Sequence, residues 1–245
     1  MSERDYILGT HAAEVERLLL QHRVWRPRML DAWRRAGITQ GQTVIDVGSG
    51  PGYAALDLAE IVGPKGSVLA VERSARFLHA LEATAADREL TNIKTLEADI
   101  TETAIEEAFA DAAWCRWVFS WLTKPECGVA NIARALKPGG VAVFHEYLNY
   151  ATWSLLPHDA AFASFVKAVI DSVAATGATI DSARALPDQL EQAAFARAYK
   201  DKLVTGGLLA AAEADAAIAA LARAEHKGGT RMATPIVLEI IARRR

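Results

Sequence analysis

The run Val44-Ile45-Asp46-Val47-Gly48-Ser49-Gly50-Pro51-Gly52 constrains this chain more than any other stretch. Val44 to Val47 is mostly β-branched and reads as a short buried strand. Glycines then recur at alternate positions, and a helical pattern follows from about Tyr53 to Ile61. Strand, glycine turn and helix together open an α/β sheet that takes its ligand at the carboxyl ends of the strands. Glycines adopt backbone conformations closed to other residues and let a ligand approach the main chain. The helix N-terminus adds free N–H groups and a positive dipole end, which receive a carboxylate as well as a phosphate. Asp46, two residues before the first glycine, suits a ligand carrying an ammonium group and would repel phosphate.

The alternation continues downstream. Val68–Val71 is a second strand, and Ser74 begins another helix by capping it. Ile93–Leu96 is a third strand and Ala112–Cys115 a fourth. A helix over Glu126–Leu136 and a turn at Lys137-Pro138-Gly139-Gly140 lead into a fifth, Val141–Phe144. Near-continuous apolar strands separated by helices imply a parallel sheet covered on both faces. Upstream, Val15, Leu18, Leu19, His22 and Trp25 share one face of a helix over Ala12–Trp25. A second helix starts at Pro27, which suits a first turn, and stops at Gly37. After Ala151, helices over Asp159–Ala175, Pro187–Ala194 and Leu208–Glu225 interleave with strand candidates Ala198–Val204 and Pro235–Ile241. The expected organisation is one domain: a helical lid (1–36), a core (43–147), a helical cap (151–194) and the remainder of the sheet (196–245).

Two further acids fall at strand ends. Glu72 closes the second strand about 20 residues beyond the glycine loop, where an acid can accept from both hydroxyls of a ribose. Asp99 follows the third strand and can accept from an adenine amino group, or Asp99-Ile100-Thr101 simply starts a turn or caps a helix. Gly50-Pro51-Gly52-Tyr53-Ala54-Ala55 also matches G-x-G-x-x-G/A, so an NAD(P)-dependent oxidoreductase is an alternative. That frame starts late relative to the strand and leaves Asp46 without a role. No G-K-[ST] follows, which excludes a lysine P-loop.

The net charge is −3, and the basic residues are scattered apart from Arg243–Arg245. No basic stripe exists to neutralise a nucleic-acid backbone, so a small-molecule partner is expected. Two cysteines, Cys115 and Cys127, provide neither a disulfide framework nor a four-cysteine zinc site, and no metal is expected. No signal-like segment opens the chain, and no apolar run reaches the roughly 20 residues of a membrane span. A cytoplasmic protein is the expectation. His145 and Glu146 end the fifth strand beside the expected pocket, where His145 is either a general base or a wall residue.

Val44 to Gly52 resembles motif I of the class I S-adenosylmethionine-dependent methyltransferases. Leu136-Lys137-Pro138-Gly139-Gly140-Val141 is similar to the turn entering their fifth strand. The spacing resembles the small-molecule branch near the ubiquinone and menaquinone C-methyltransferases, over about Thr43 to Tyr147. The resemblance implies a Rossmann-like, doubly wound sheet of seven strands in the order 3-2-1-4-5-7-6, the last antiparallel. It implies S-adenosylmethionine as cofactor, with Gly48, Ser49, Gly50 and Gly52 along its methionine part. Asp46 would approach the amino group and Glu72 the ribose. Asp99 and the Ile100 backbone would meet the adenine, with Arg73 flanking the ring. Arg116, ending the fourth strand, would contact cofactor or substrate, and Tyr6 and Gln21 of the lid would close over the cofactor. The implied reaction is direct in-line methyl transfer to an O, N or C nucleophile. A non-catalytic module that kept the cofactor pocket is the remaining alternative.

Overall fold

A computed structural model of the chain describes residues 12–193, 231–233 and 236–244. Tyr6, the strand candidate Ala198–Val204 and the helix candidate Leu208–Glu225 lie outside the described residues.

The elements run α1 (Ala12–Ala36), β1 (Thr43–Val47), α2 (Tyr53–Val62), β2 (Ser67–Glu72), α3 (Ala75–Asp87) and β3 (Ile93–Glu97). There follow β4 (Ala110–Arg116), α4 (Pro125–Ala135), β5 (Leu136–Asn149), β6 (Ser154–Leu156), α5 (Ala160–Ala174), α6 (Leu186–Gln192), β7 (Arg231–Ala233) and β8 (Ile236–Arg243). The main sheet has the order β3-β2-β1-β4-β5-β8, and β6 pairs with β7 separately. β1 to β5 are parallel, and β8 runs antiparallel to β5. The expected seven-stranded sheet is therefore corrected to a six-stranded one among the described residues. β8 takes the place expected of the last strand; the candidate for the remaining one is the segment named above.

Alternation along the strands divides the interior in two. Val44, Val68, Ala70, Ala112, Trp114 and Val143 pack against α1, α2 and α3 through Met29, Trp33, Leu58 and Leu81. Ile45, Val47, Ala113, Cys115 and Phe144 face α4 and α6 through Val129, Ile132 and Leu190. The in-register neighbours Asp46 and Trp114, and then Arg116 and His145, thus share the α1–α2 face at the carboxyl ends of the strands.

Two local expectations are revised. The two N-terminal helices are one, because α1 continues through Pro27. Proline there removes one N–H and leaves the Arg23 carbonyl without its helical donor. Arg23 and Pro27 are exposed, so that carbonyl is open to hydration, while buried Met29, Ala32, Trp33 and Ala36 hold the rest of the helix to the sheet. The Lys-Pro-Gly-Gly turn is a fold-out inside β5. Pairing jumps from Ala110↔Leu136 to Ala112↔Val141, and Gly139 has a left-handed φ of 79°. Elsewhere the expected Ser74 cap holds, accepting from the Phe77 N–H, and the structure adds a cap at Asp159, which accepts from the Phe162 N–H. No described helix is long and apolar enough to cross a membrane.

Candidate functional site

The loop after β1 is shaped by glycines with φ of 64°, 54° and 84° at Gly48, Gly50 and Gly52. They serve different ends. A Cβ at Gly48 would lie 2.2 Å from the Val118 side chain, and one at Gly52 2.2 Å from Leu81. A Cβ at Gly50 would meet nothing within 4 Å. Gly48 and Gly52 therefore let neighbouring elements close in, while Gly50 borders open space. The Gly48 and Ser49 N–H groups donate to the Val71 carbonyl at 2.8 and 3.1 Å, which holds the loop to β2.

Asp46 sits under this loop at 2% exposure. Its Oδ2 has no partner among the described residues, and neither has the buried Ser49 hydroxyl. Burial pushes the Asp46 carboxyl up to about 7; Arg116 opposes that shift and Glu72 adds to it. A buried acid with an unfilled oxygen calls for a cationic donor.

Glu72 is also buried, and both of its oxygens are engaged. Oε2 accepts from the Gly50 N–H at 2.9 Å, and Oε1 from the N–H groups of Arg73 and Ser74 at 2.8 and 3.0 Å. The side chain expected to meet a ribose thus also ties the glycine loop to the β2–α3 turn. A carboxylate oxygen has a second lone-pair direction, so this leaves room for a ligand hydroxyl. Asp99 reaches the same edge of the sheet. Its Oδ1 accepts from the Thr101 N–H and hydroxyl at 2.8 and 2.7 Å, and Oδ2 lies 3.4 Å from Arg73 Nη1. The Ile100 carbonyl accepts from Asn131 Nδ2 at 2.7 Å. The structure thus gathers Asp46, the glycine loop, Glu72, Arg73 and Asp99 along the ends of β1, β2 and β3.

Arg116 ends β4 with its guanidinium 5.0 Å from the Trp117 ring and 5.9 Å from that of Trp114. Nη2 lies 3.4 Å from His22 Nδ1, whose Nε2 is 3.3 Å from Asp57 Oδ2. Asp57 in turn accepts two bonds from Arg26, at 2.7 and 3.1 Å. His22, which the sequence places on the apolar face of the first helix, is a buried link between α1, α2 and β4. Asp57 and Arg26 escaped the sequence reading; the one signal was an acid inside the apolar run of α2. Half-buried Gln21 shows no side-chain partner among the described residues, while Tyr53 Oη donates to the Val15 carbonyl at 3.1 Å.

His145 is 1% exposed, packed 4.8 Å from the Trp114 ring, with Nε2 2.7 Å from Glu239 Oε2 and Nδ1 lacking a partner among the described residues. Burial holds its pKa below the usual imidazole value. Glu146 points to the other face and is fully buried. Its Oε1 accepts from the Val118 and Phe119 N–H groups at 2.9 and 3.2 Å; its Oε2 lies 3.5 and 3.3 Å from the Ser120 and Ser182 hydroxyls. Burial raises its carboxyl to about 7. One carboxylate thereby joins the loop after β4, whose Val118 abuts Gly48, to the segment before α6. Trp117 in that loop is a non-glycine residue at φ 57°, stacked on Tyr147 at 5.6 Å. Two clefts of about 320 and 270 Å3 open beside the cap, one under Trp153 and Phe162, the other between Phe119 and Ser182.

Comparison with known proteins fits this geometry. Residues 45–144 match a methyltransferase domain family. The chain is 29% identical over 154 residues to the 2-phytyl-1,4-naphtoquinone methyltransferase of Trichormus variabilis, covering 62% of this chain and 63% of that protein. It is 24% identical to the ubiquinone/menaquinone biosynthesis C-methyltransferase of Stutzerimonas stutzeri, covering 51% of this chain and 48% of the relative. The chain thus spans between about half and two thirds of these curated relatives. Among solved structures, a putative sarcosine dimethylglycine methyltransferase from Galdieria sulphuraria superposes with a TM-score of 0.56 at 17% identity, covering 72% of this chain and 60% of that one. That likeness shows the shared fold.

Proposed function

With residues 45–144 matching a methyltransferase domain of the kind the sequence resembles, we propose that this chain binds S-adenosylmethionine and transfers its methyl group to a small-molecule acceptor. One observation carries the proposal: the unfilled, buried oxygen of Asp46 beneath a glycine loop that is open at Gly50. An ammonium group fits there, and the amino-acid end of S-adenosylmethionine has one. A dinucleotide phosphate would meet a buried acid instead, which disfavours the oxidoreductase alternative. Glu72 would take the ribose hydroxyls, and Asp99 with the Ile100 backbone the adenine.

S-adenosylmethionine brings an electrophilic methyl on a sulfonium sulfur, so the protein's main task is alignment and exclusion of water. The glycine loop and Asp46 would fix the methionine end. Trp25, Trp117 and Tyr147 form an aromatic wall beside Arg116. Where the acceptor arrives protonated, His145 is the base we assign. Glu239 holds the proton on Nε2 in this reading and leaves the Nδ1 lone pair. The quinone methyltransferases to which this chain is similar point to a quinone-type acceptor.

Calorimetry tests the cofactor: S-adenosylhomocysteine should bind and NAD should not. The reverse result removes the assignment. Cofactor binding without label transfer to any reduced naphthoquinone or benzoquinone would favour the non-catalytic module.

A further inference from the structure

We infer that Arg116 is an anion receptor, built to take a carboxylate or an ionised oxygen at the carboxyl end of β4. The inference rests on the cofactor-binding reading above and adds a ligand chemistry to it.

A guanidinium offers five N–H donors. Among the described residues those of Arg116 find only His22 Nδ1 at 3.4 Å and the Met29 sulfur at 3.8 Å, both long and neither anionic. The nearby acids are committed or held off. Asp57 is matched by Arg26 and His22. Asp46 supports the charge of Arg116 through space, yet the two are not at ion-pair distance, and Asp46 Oδ2 stays unfilled. Surrounding apolar bulk works against the charge and draws the group down to about 10. Trp114 and Trp117 flank the cation and restrict competing water, while part of the side chain remains open to solvent.

A largely desolvated cation without a partner carboxylate is costly unless a ligand supplies one. The planar fork of an arginine matches a carboxylate in two parallel bonds. His22 acts as a positioning residue: with its proton toward Asp57, its Nδ1 lone pair holds one edge of the guanidinium and leaves the others free. Two sources bring the required chemistry. One is the carboxylate of the cofactor's amino-acid end, whose ammonium would sit on Asp46. The other is an acceptor bearing an ionised oxygen, which would then need no general base.

The test uses the full chain and isothermal calorimetry. S-adenosylhomocysteine and 5′-deoxy-5′-methylthioadenosine, which lacks the amino-acid end, are titrated into wild type, Arg116→Met and Arg116→Lys. With S-adenosylhomocysteine bound, 2-hydroxy-1,4-naphthoquinone, an anion at neutral pH, is then compared with its neutral methyl ether. If the cofactor supplies the anion, Arg116→Met weakens S-adenosylhomocysteine by about ten- to a hundredfold and leaves methylthioadenosine unchanged. If the acceptor supplies it, cofactor affinity stays and the preference for the anionic naphthoquinone is lost. In either case Arg116→Lys retains part of the effect. The inference is overturned if Arg116→Met changes neither comparison, or if it weakens both adenosine ligands equally. Should Arg116→Met not fold, Arg116→Gln carries the same comparison, since it keeps a donor for His22. A wild-type protein that binds neither adenosine ligand defeats the underlying cofactor reading instead.

Discussion

Removing the Glu146 side chain should reveal how much one buried carboxylate holds in place. Glu146→Ala strands the Val118 and Phe119 N–H groups, whose bonds to Oε1 are 2.9 and 3.2 Å. The hydroxyls weigh less. Ser120 keeps the Ile180 carbonyl at 2.8 Å, and Ser182 keeps Ser120 at 3.2 Å. Two stranded buried donors at about 1–3 kcal/mol each, with a cavity added, give a loss of about 3–5 kcal/mol. For a chain of this size that lowers Tm by about 6–20 °C. Glu146→Gln behaves differently. Its carbonyl can face the same two N–H groups while its amide faces the serine hydroxyls, so it imitates the protonated acid. The folded-state carboxyl is raised to about 7 from an ordinary value of 4.5. The folded protein therefore binds the proton more tightly than the unfolded chain, and the associated stability is full below pH 4.5 and lost as pH rises through 7. Thermal melts from pH 5 to 8 should show Glu146→Gln matching wild type at pH 5 and exceeding it at pH 8. An alanine variant within about 2 °C of wild type, or a glutamine variant whose offset ignores pH, would refute the reasoning.

Three further outcomes follow from the same geometry. Gly52→Ala combines a left-handed φ with a collision at Leu81 and should cost about 2–5 kcal/mol in urea unfolding; Gly50→Ala should cost only about 1–2 kcal/mol, yet weaken S-adenosylhomocysteine because its methyl enters open space. Asp57→Asn should lose about 1–3 kcal/mol at neutral pH. The Asp57 carboxyl is held low by His22 and Arg26 against its burial, so its contribution is present above the ordinary carboxylate range and lost as pH falls through its folded value, and the variant's acid limb should be shallower. His145→Gln should leave cofactor affinity intact while lowering kcat by about 10²–10⁴ and flattening its pH profile if Nδ1 is the base; an unchanged kcat makes the residue part of the wall.

Much of this arrangement was legible in the residues because it is local. The β-branched run ending at Val47, the glycines after it and the acids at Glu72 and Asp99 are fixed by chain spacing within strand–turn–helix units. The Ser74 cap is local too. What escaped depends on partners distant in sequence. Pro27 reads as a helix start, and only the burial of Met29 and Trp33 shows why the helix passes through it. Asp57 looks like a surface acid until Arg26 and His22, 31 and 35 positions away, close on it. Glu146 looks like the polar end of a strand until Ser182 and the loop after β4 surround it. Glu72 was expected to reach outward and turned out to serve the backbone as well, since no one-dimensional pattern shows where the Gly50 N–H points.

The continuity of α1 changes what closing over the site can mean. At 1.5 Å per residue, its 25 residues make a rod of about 37 Å. One half is clamped into the core by Met29, Trp33 and Ala36, and the other carries His22 and Val15 toward the loop after β1. Acting as a lid, this half would be a lever with its fulcrum near Pro27, where the helical bonding is already one link short. Swinging such an arm would need no melting or re-ordering of backbone, and access to the site would then be gated by a bending mode with little entropy to recover on each cycle. A crosslink or stiffening substitution at that fulcrum would act on turnover from a position that touches no ligand.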